Sequence, residues 1–347
     1  MRVAAMLLLL VLAACSSSFQ EVDGGLLEAG RDGTADAGGP DTGWELVYVD
    51  KSAEPGESLN AIWVAGKEAI FAVGDNGQAV WREQGQWISR NKSKGLSFYG
   101  LWGRSATDVY AVGRYELGQK PAIHHYDGDL WTALGPLPDT MMPLSDVWGT
   151  PTGTKIYFTS LDGTAYTKTD TTPYQVVLQT GGCPDVADPP PVLWAIDGSS
   201  FDNALIAGDD GLSAHRDGSG WLRLCHPDKQ VSYRAVFSVP GSTEFYLGAN
   251  YLGLWLFQGR DKPTLKIHED RGTPGAETRH LWSIWGTSAA RIIAVGDEGT
   301  ILTFDGSGSG AKQVPSPTKG ALFGVSGFDE SNVYICGEGN KIWRGKL

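Results

Sequence analysis

Between residues 44 and 347 one unit recurs: an apolar residue beside Trp, a small turn, a β-branched strand ending in Gly, an acidic hairpin, and a second strand. Its clearest copies are Ile62-Trp63 with Ala72-Val73-Gly74-Asp75-Asn76-Gly77, and Ile284-Trp285-Gly286 with Ala294-Val295-Gly296-Asp297-Glu298-Gly299. Others are Leu101-Trp102 with Val112-Gly113, Val147-Trp148 with Asp162-Gly163, and Leu193-Trp194 with Gly208-Asp209. Degenerate copies follow at Val236-Phe237 with Leu247-Gly248, and at Phe323-Gly324-Val325 with Cys336-Gly337. Taking the end of the second strand as register mark gives Gly74, Gly113, Ser160, Gly208, Gly248, Gly296 and Gly337. Their spacing of 39 to 48 residues is the length of a four-stranded sheet unit. The strands are short, bounded by Gly, Asp or Asn, and show no helical period.

Seven such units predict an all-β fold, a seven-bladed β-propeller of four-stranded blades. The Trp of each first strand is a wide, stiff plate suited to the space between blades. The Gly-Asp-x-Gly step predicts a tight hairpin whose last residue takes a positive φ, with Asn340 standing there in the seventh unit. Trp87-Ile88, Trp131-Thr132 and Trp221-Leu222 lead fourth strands, whereas the last unit stops at Trp343-Arg344, one strand short. Trp44 to Val49 stands alone at the start, so the N-terminal strand is expected to complete the last blade and cover its edge.

Ahead of the repeats, Arg2 precedes an apolar run from Val3 to Leu12, closed by Ala13-Ala14-Cys15. This reads as a signal peptide over residues 1–14, too short for a permanent span of about 20 apolar residues. Leu12-Ala13-Ala14-Cys15 resembles a lipobox, which makes Cys15 the lipid-modified, palmitate-bearing N-terminus of a mature lipoprotein. Ordinary secretory cleavage after Ala14 is the alternative. Several acyl chains hold a protein stably at a membrane. Residues 15–43 read as a Gly/Asp/Ala-rich disordered tether with a reach on the order of 30 Å.

The net charge of -12 argues against nucleic acid, because phosphate neutralisation needs clustered Lys and Arg. Apart from Cys15, only Cys183, Cys225 and Cys336 are present, with no zinc-type spacing. In an oxidising envelope Cys183 and Cys225, on neighbouring blades, form a candidate disulfide, while Cys336 in a second strand reads as a buried thiol.

Repeats reading Ile-Trp-Gly, Ala-Val-Gly-Asp-x-Gly-Thr-Ile-Leu and Asp-Gly resemble those of secreted bacterial propellers related to neuraminidase repeats and to the photosystem II assembly factor family. The resemblance covers residues 44–347 and implies the fold, not an activity, since this architecture hosts many functions. Tyr126-Asp127-Gly128 and Asp217-Gly218 keep part of the family's Asp-box turn, whose aspartates are structural there.

Chemistry is sparse. The hairpin acids Asp75, Asp209, Asp297 and Glu338 are expected as a partial ring around the pore, interrupted by Arg114 and Leu161. Such a ring could take Ca²⁺, although each acid also suits its own turn, and no cofactor is expected. On the same face run the long connections Leu134 to Pro143, Gly181 to Pro191, Cys225 to Ser232, and Ile267 to His280. The last holds the densest ionisable cluster, with His268, Glu269, Arg279 and His280. Arg82, Arg90, Arg104, Arg114 and Arg223 fall at non-equivalent points, so no sialidase-like carboxylate grip forms. The expectation is a monomeric, lipid-anchored cell-envelope protein, at the outer membrane because Ser16 follows the cysteine. Its propeller binds a protein or a glycan on the loop-rich face without catalysis. The alternative is a glycan-active hydrolase or lyase using the 267–280 loop.

Overall fold

The computed structural model describes residues 42–90, 93–139, 141–150, 152–179, 190–259, 261–262 and 264–347. The predicted signal peptide, Cys15, nearly all of the tether and Cys183 lie outside the described residues.

The chain enters through β1 (Glu45–Val49) and then forms seven units in sequence. Blade 1 is β2 (Leu59–Gly66), β3 (Ala69–Gly74), β4 (Ala79–Glu83) and β5 (Gln86–Arg90). Blade 2 is β6 (Leu96–Ser105), β7 (Asp108–Tyr115), β8 (Lys120–Tyr126) and β9 (Trp131–Ala133). Blade 3 is β10 (Leu144–Gly149), β11 (Ile156–Ser160), β12 (Thr164–Lys168) and β13 (Gln175–Gln179). Blade 4 is β14 (Leu193–Ser200), β15 (Asn203–Gly208), β16 (Leu212–Asp217) and β17 (Gly220–Cys225). Blade 5 is β18 (Tyr233–Ser238), β19 (Phe245–Ala249), β20 (Leu254–Phe257) and β21 (Leu265–His268). Blade 6 is β22 (Leu281–Ser288), β23 (Arg291–Gly296), β24 (Ile301–Phe304) and β25 (Lys312–Gln313). Blade 7 is β26 (Leu322–Asp329), β27 (Asn332–Gly337) and β28 (Lys341–Gly345), completed by β1 in the order β1-β28-β27-β26.

The structure is therefore a seven-bladed, all-β propeller closed by its N-terminal strand, as the repeats predict. At the seam, Glu57 accepts hydrogen bonds from Asn76 of blade 1 at 2.7 Å and Asn340 of blade 7 at 3.4 Å. Each blade's first strand contacts the first strands of both neighbours, so these seven strands form the innermost ring. Because each sheet is antiparallel, the second-to-third-strand turns and the interblade connections share one face, the turn face. The other hairpins lie on the opposite face.

Pairing with the second strands aligns the seven inner strands residue by residue. The first position is Leu59, Phe98, Leu144, Leu193, Tyr233, Leu281 or Leu322. In every blade the register then shifts by one, so the second residue is the extra residue of a β-bulge. The fifth position is Trp63, Trp102, Trp148, Asp197, Phe237, Trp285 and Ser326. The sixth is Val64, Gly103, Gly149, Gly198, Ser238, Gly286 and Gly327.

This register corrects three sequence alignments. Trp194 is not the counterpart of Trp63; it sits at the bulge, three residues early, and Asp197 holds the interblade place. In blade 7 that place is Ser326, and Phe323 is the bulge residue. In blade 5 the register mark is Ala249 rather than Gly248, since Ala249 pairs with Tyr233. The sequence misleads because an apolar-Trp pair occurs at both the second and the fifth positions.

The fifth-position Trp does fill the space between blades, and it does so against glycine. A Cβ on Gly103, Gly149, Gly198 or Gly327 would stand 2.7–2.9 Å from the indole of Trp63, Trp102, Trp148 or Trp285 on the preceding blade. Where that residue is Asp197 or Ser326, the next blade carries Ser238 or Val64 instead. The register glycines have a related cause. Gly74 and Gly296 are extended, yet a Cβ there would lie 1.9 and 2.1 Å from the carbonyls of Ser58 and His280. In the hairpins the last residue is left-handed as expected, with Gly77 at φ 67° and Asn340 at φ 50°. The residue before it is left-handed too, at Asn76 and Glu298.

Cys336 is a buried free thiol that donates to the Leu59 carbonyl of blade 1 at 3.5 Å. All thirteen Trp side chains are buried or half-buried.

The Trp-on-Gly contact predicts that Gly149→Ala destabilises the ring by about 1–3 kcal/mol, because the Trp102 indole and the Lys155 carbonyl both confine the new methyl. A drop in the urea midpoint without a change in slope is the expected result.

Candidate binding face

The hairpin acids of the turn face are anchored by their own blades. Asp75 accepts from the Ser58 backbone N–H and from Asn60 Nδ2, both at 3.0 Å. Asp297 accepts from the His280 backbone N–H and from Trp282 Nε1, both at 2.7 Å. Asp209 accepts from Trp194 Nε1 at 3.1 Å and from Arg234 of the next blade. Asn250 is the counterpart in blade 5, accepting from the Ser232 N–H at 2.9 Å. Burial would raise the Asp297 carboxyl, but hydrogen bonds from His280 and Trp282 outweigh it and hold it below the usual carboxylate range. Glu338 keeps its backbone N–H on the Ala321 carbonyl while its side chain is exposed beside Gly320. Among the described residues no three His, Cys, Asp or Glu side chains converge as metal ligands would.

The side chains these acids hold, Asn60, Trp194, Arg234 and Trp282, are bulge residues, and Tyr99, Ser145 and Phe323 complete the set of seven. They stand at the turn-face end of the innermost strands, around the mouth of the central channel. Blades 4 to 7 form a continuous arc there. The Arg234 guanidinium lies 4.4 Å from the Trp194 ring and 6.0 Å from the Trp282 ring, and Phe323 meets Trp282 edge to face at 5.9 Å. His280 lies against Trp282 at 5.0 Å. Trp194, Trp282 and Phe323 are all half-buried, each with part of its surface open to solvent. Because Asp209 and Asp297 take the indole N–H groups, the two indoles are fixed in orientation.

The 267–280 loop is also held, but its four candidate residues have different partners. Glu269 binds Arg271 at 2.9 Å and Lys266 at 3.2 Å, and Arg271 continues to Asp228 at 2.6 Å. Arg279 binds Asp270 at 2.8 Å and Glu298 at 3.4 Å, and His280 faces Asp297. Burial lowers the His268 pKa. No acid-base pair aligned for proton transfer joins the four. Backbone bonds from Tyr251 and Leu252 to Ala276 and Arg279 dock the loop on blade 5 despite its glycines.

On the opposite face, Asp127 accepts from the Asp129 and Leu130 N–H groups and Asp217 from Ser219, so each closes its own turn. Cys225, at the end of β17, is disulfide-bonded. Its expected partner Cys183 lies outside the described residues.

Two carboxylates that the sequence does not single out lie deeper in the ring. Asp146, third in its strand, takes the Val147 N–H at 2.8 Å and, across the blade boundary, the Ile196 N–H at 3.0 Å. Asp197 takes the Gly198 N–H and, on the next blade, the Ser238 N–H, both at 2.8 Å. Ser283 and Ser326 make the equivalent bonds to Val325 and Val64, both at 3.1 Å. Burial raises Asp146 and Asp197 to about 7, although each keeps some surface open.

The fold thus defines a propeller with an aromatic channel mouth. No family model matches the chain, and no curated protein matches it. Among solved structures, YCF48 bound to D1 peptide is similar at a TM-score of 0.65 and 12% identity, over 88% of this chain and 97% of that one. The WD40 β-propeller domain of Doa1 is similar at 0.63 and 14% identity, over 87% and 96%. YCF48 from Cyanidioschyzon merolae is similar at 0.63 and 11% identity, over 88% and 99%. At these identities the likeness establishes the fold alone. Among the described residues no helix is long and apolar enough to cross a membrane.

The channel carboxylates predict a specific pH signature. A carboxyl raised by folding from 3.8 to about 7 adds nothing unfavourable below pH 3.8, and its stabilising protonated form is lost as pH rises through about 7. The stability of Asp146→Asn/Asp197→Asn relative to the parent should therefore improve as pH rises across that window and level off above it. Thermal unfolding of both proteins across the window checks this, and a pH-independent difference contradicts it.

Proposed function

We propose that this protein is a lipid-anchored scaffold of the cell envelope that binds another protein, without catalysis, at the turn face of its propeller. The observation that carries the reading is the arc of Trp194, Arg234, Trp282 and Phe323. It consists of oriented, partly exposed rings on rigid inner strands, at a position where Asn60 and Ser145 satisfy the fold equally well. Loops and strand ends on a rigid scaffold are where binding resides, and aromatic and Arg side chains are favoured anchors of protein contacts. One structurally similar protein is described as bound to a D1 peptide. The ionisable groups of the 267–280 loop are spent on separate ion pairs, which speaks for scaffold over hydrolase.

Anchoring fits the same arrangement. β1 runs from Glu45 opposite Arg344 to Val49 opposite Lys341, and Lys341 follows the turn-face hairpin. The chain therefore joins the ring on the opposite face. A tether over residues 15–43, lipidated at Cys15 in the outer membrane, then leaves the turn face clear of lipid. Cys183–Cys225 is the disulfide we assign across blades 3 and 4.

Labelled palmitate should enter the parent protein and not Cys15→Ser; entry into that variant, or into neither, removes the anchor. A photo-crosslinker at Asp210 or Glu338 should yield a protein adduct that the same group at Ser219, on the opposite face, does not. Turnover of a glycan panel that disappears when His268, Glu269, Arg279 and His280 are replaced together by Ala would instead establish the enzyme.

A further inference from the structure

The inner strands carry little charge. At their first six positions only Asp146, Asp197 and Arg234 are charged, and Arg234 is paired with Asp209 at the mouth. Among the described residues no cation pairs with Asp146 or Asp197, and the charge that acts on Asp146 is that of Asp197. Both carboxylates are satisfied by backbone alone. Each of their four oxygens takes one N–H, from Val147, Ile196, Gly198 or Ser238, and keeps a second lone pair.

The two groups are neighbours along one strand. Ile196, which donates to Asp146, and Gly198, which donates to Asp197, are two residues apart on β14, a rise of about 7 Å. Asp146 has room because the residue beside it on blade 2 is Gly100. A Cβ there would stand 2.6 Å from the Asp146 Cα and 2.9 Å from its Oδ1.

A hydroxyl is directed at the same place. A Cβ at the sixth position points at the fifth residue of the preceding blade, as the contacts of Gly103, Gly149 and Gly198 with Trp63, Trp102 and Trp148 show. On blade 5 the sixth residue is Ser238, and the fifth residue before it is Asp197 rather than an indole. The Ser238 side chain is therefore aimed into the volume that the plate fills elsewhere. Ser238 is 8% exposed, and its Oγ has no hydrogen-bond partner. Asp146 and Asp197 each keep some surface open, so the three oxygen-bearing side chains are reached from the channel.

Two carboxylates withdrawn from water without a counter-charge are costly, and an ion with oxygen ligands removes that cost. We propose that the channel wall across blades 3 to 5 binds a hydrated divalent cation of the hard, oxygen-preferring class, with Asp146, Asp197 and the Ser238 hydroxyl as its protein groups and water completing the shell. The site needs fewer acids than a dehydrated cage because such ions, magnesium above all, keep several waters and take one or two carboxylates. It is distinct from the hairpin acids and independent of what binds at the mouth. At the boundary of blades 4 and 5 the ion does what the indole does elsewhere: it joins two inner strands, just below Trp194.

The test titrates the full mature protein, stripped with EDTA, with calcium chloride and separately with magnesium chloride, followed by calorimetry. Sodium chloride at about 0.15 M screens the diffuse attraction of a chain with net charge -12. At least one of the two ions should bind saturably at one per chain. Asp146→Asn and Asp197→Asn should each weaken binding by about tenfold or more, and Ser238→Ala by about threefold. Glu338→Gln and Asp210→Asn, on the turn face, should leave it unchanged. Ser238→Ala preserves every backbone bond to the two carboxylates, so it decides the matter where an aspartate variant loses the circular dichroism of the parent: unchanged affinity in Ser238→Ala then overturns the proposal. No saturable binding of either ion, parental affinity in folded Asp146→Asn and Asp197→Asn, or an equal loss in Glu338→Gln also overturns it.

Discussion

The fifth residue of each inner strand must lie on the backbone of the next blade, and most of the molecule follows from that single contact. An indole laid flat between two sheets leaves no room for a Cβ beneath it, so the residue below is Gly at 103, 149, 198 and 327. Hydrophobic area removed from water and dense packing then act together, because plate and floor exclude any void. The repeat length, the short strands and the closing β1 all serve to bring the seven blade boundaries into a ring without a free edge.

Two blade boundaries abandon the plate, and there the ring is held by hydrogen bonds. Asp197 and Ser326 accept from the backbone N–H groups of Ser238 and Val64, groups that an innermost strand cannot pair within its own sheet. Asp146 and Ser283 do the same two residues earlier in their strands. A serine does this without charge. An aspartate does it with two acceptors at the cost of desolvation, which is why burial drives both channel carboxyls upward. Polar contacts therefore replace the plate between blades 4 and 5 and at the closing seam, and add to it where Trp148 and Trp285 remain.

The architecture was legible because its signal is periodic. Blade number, strand number and closure all follow from the spacing of glycines and from an unpaired strand at each end of the chain. The channel mouth was less legible because a β-bulge moves one residue out of the alternation, and a bulge has no composition of its own. Trp194 and Trp282 look like interblade plates when only neighbours in sequence are compared. The signal that separates them is distance: Asn60, Trp194 and Trp282 each lie fifteen residues before the aspartate that fixes them. Arg234 gave no local sign, since its significance is contact with rings on two other blades. The hairpin acids were legible as acids suited to their turns, but the bonds that three of them make to Asn60, Trp194 and Trp282 were not.

The bulge is also where the inner side chain varies most from blade to blade. The first position is buried in every blade, while the second accepts Asn, Tyr, Ser, Trp, Arg or Phe. A large aromatic there adds surface that water touches and that the ring does not need, and rigid support makes such surface useful for recognition. Since β1 joins from the opposite face, the bulge residues lie at the other end of the inner strands from the chain's entry into the ring. Core and contact surface are thus separated within a single strand by one inserted residue.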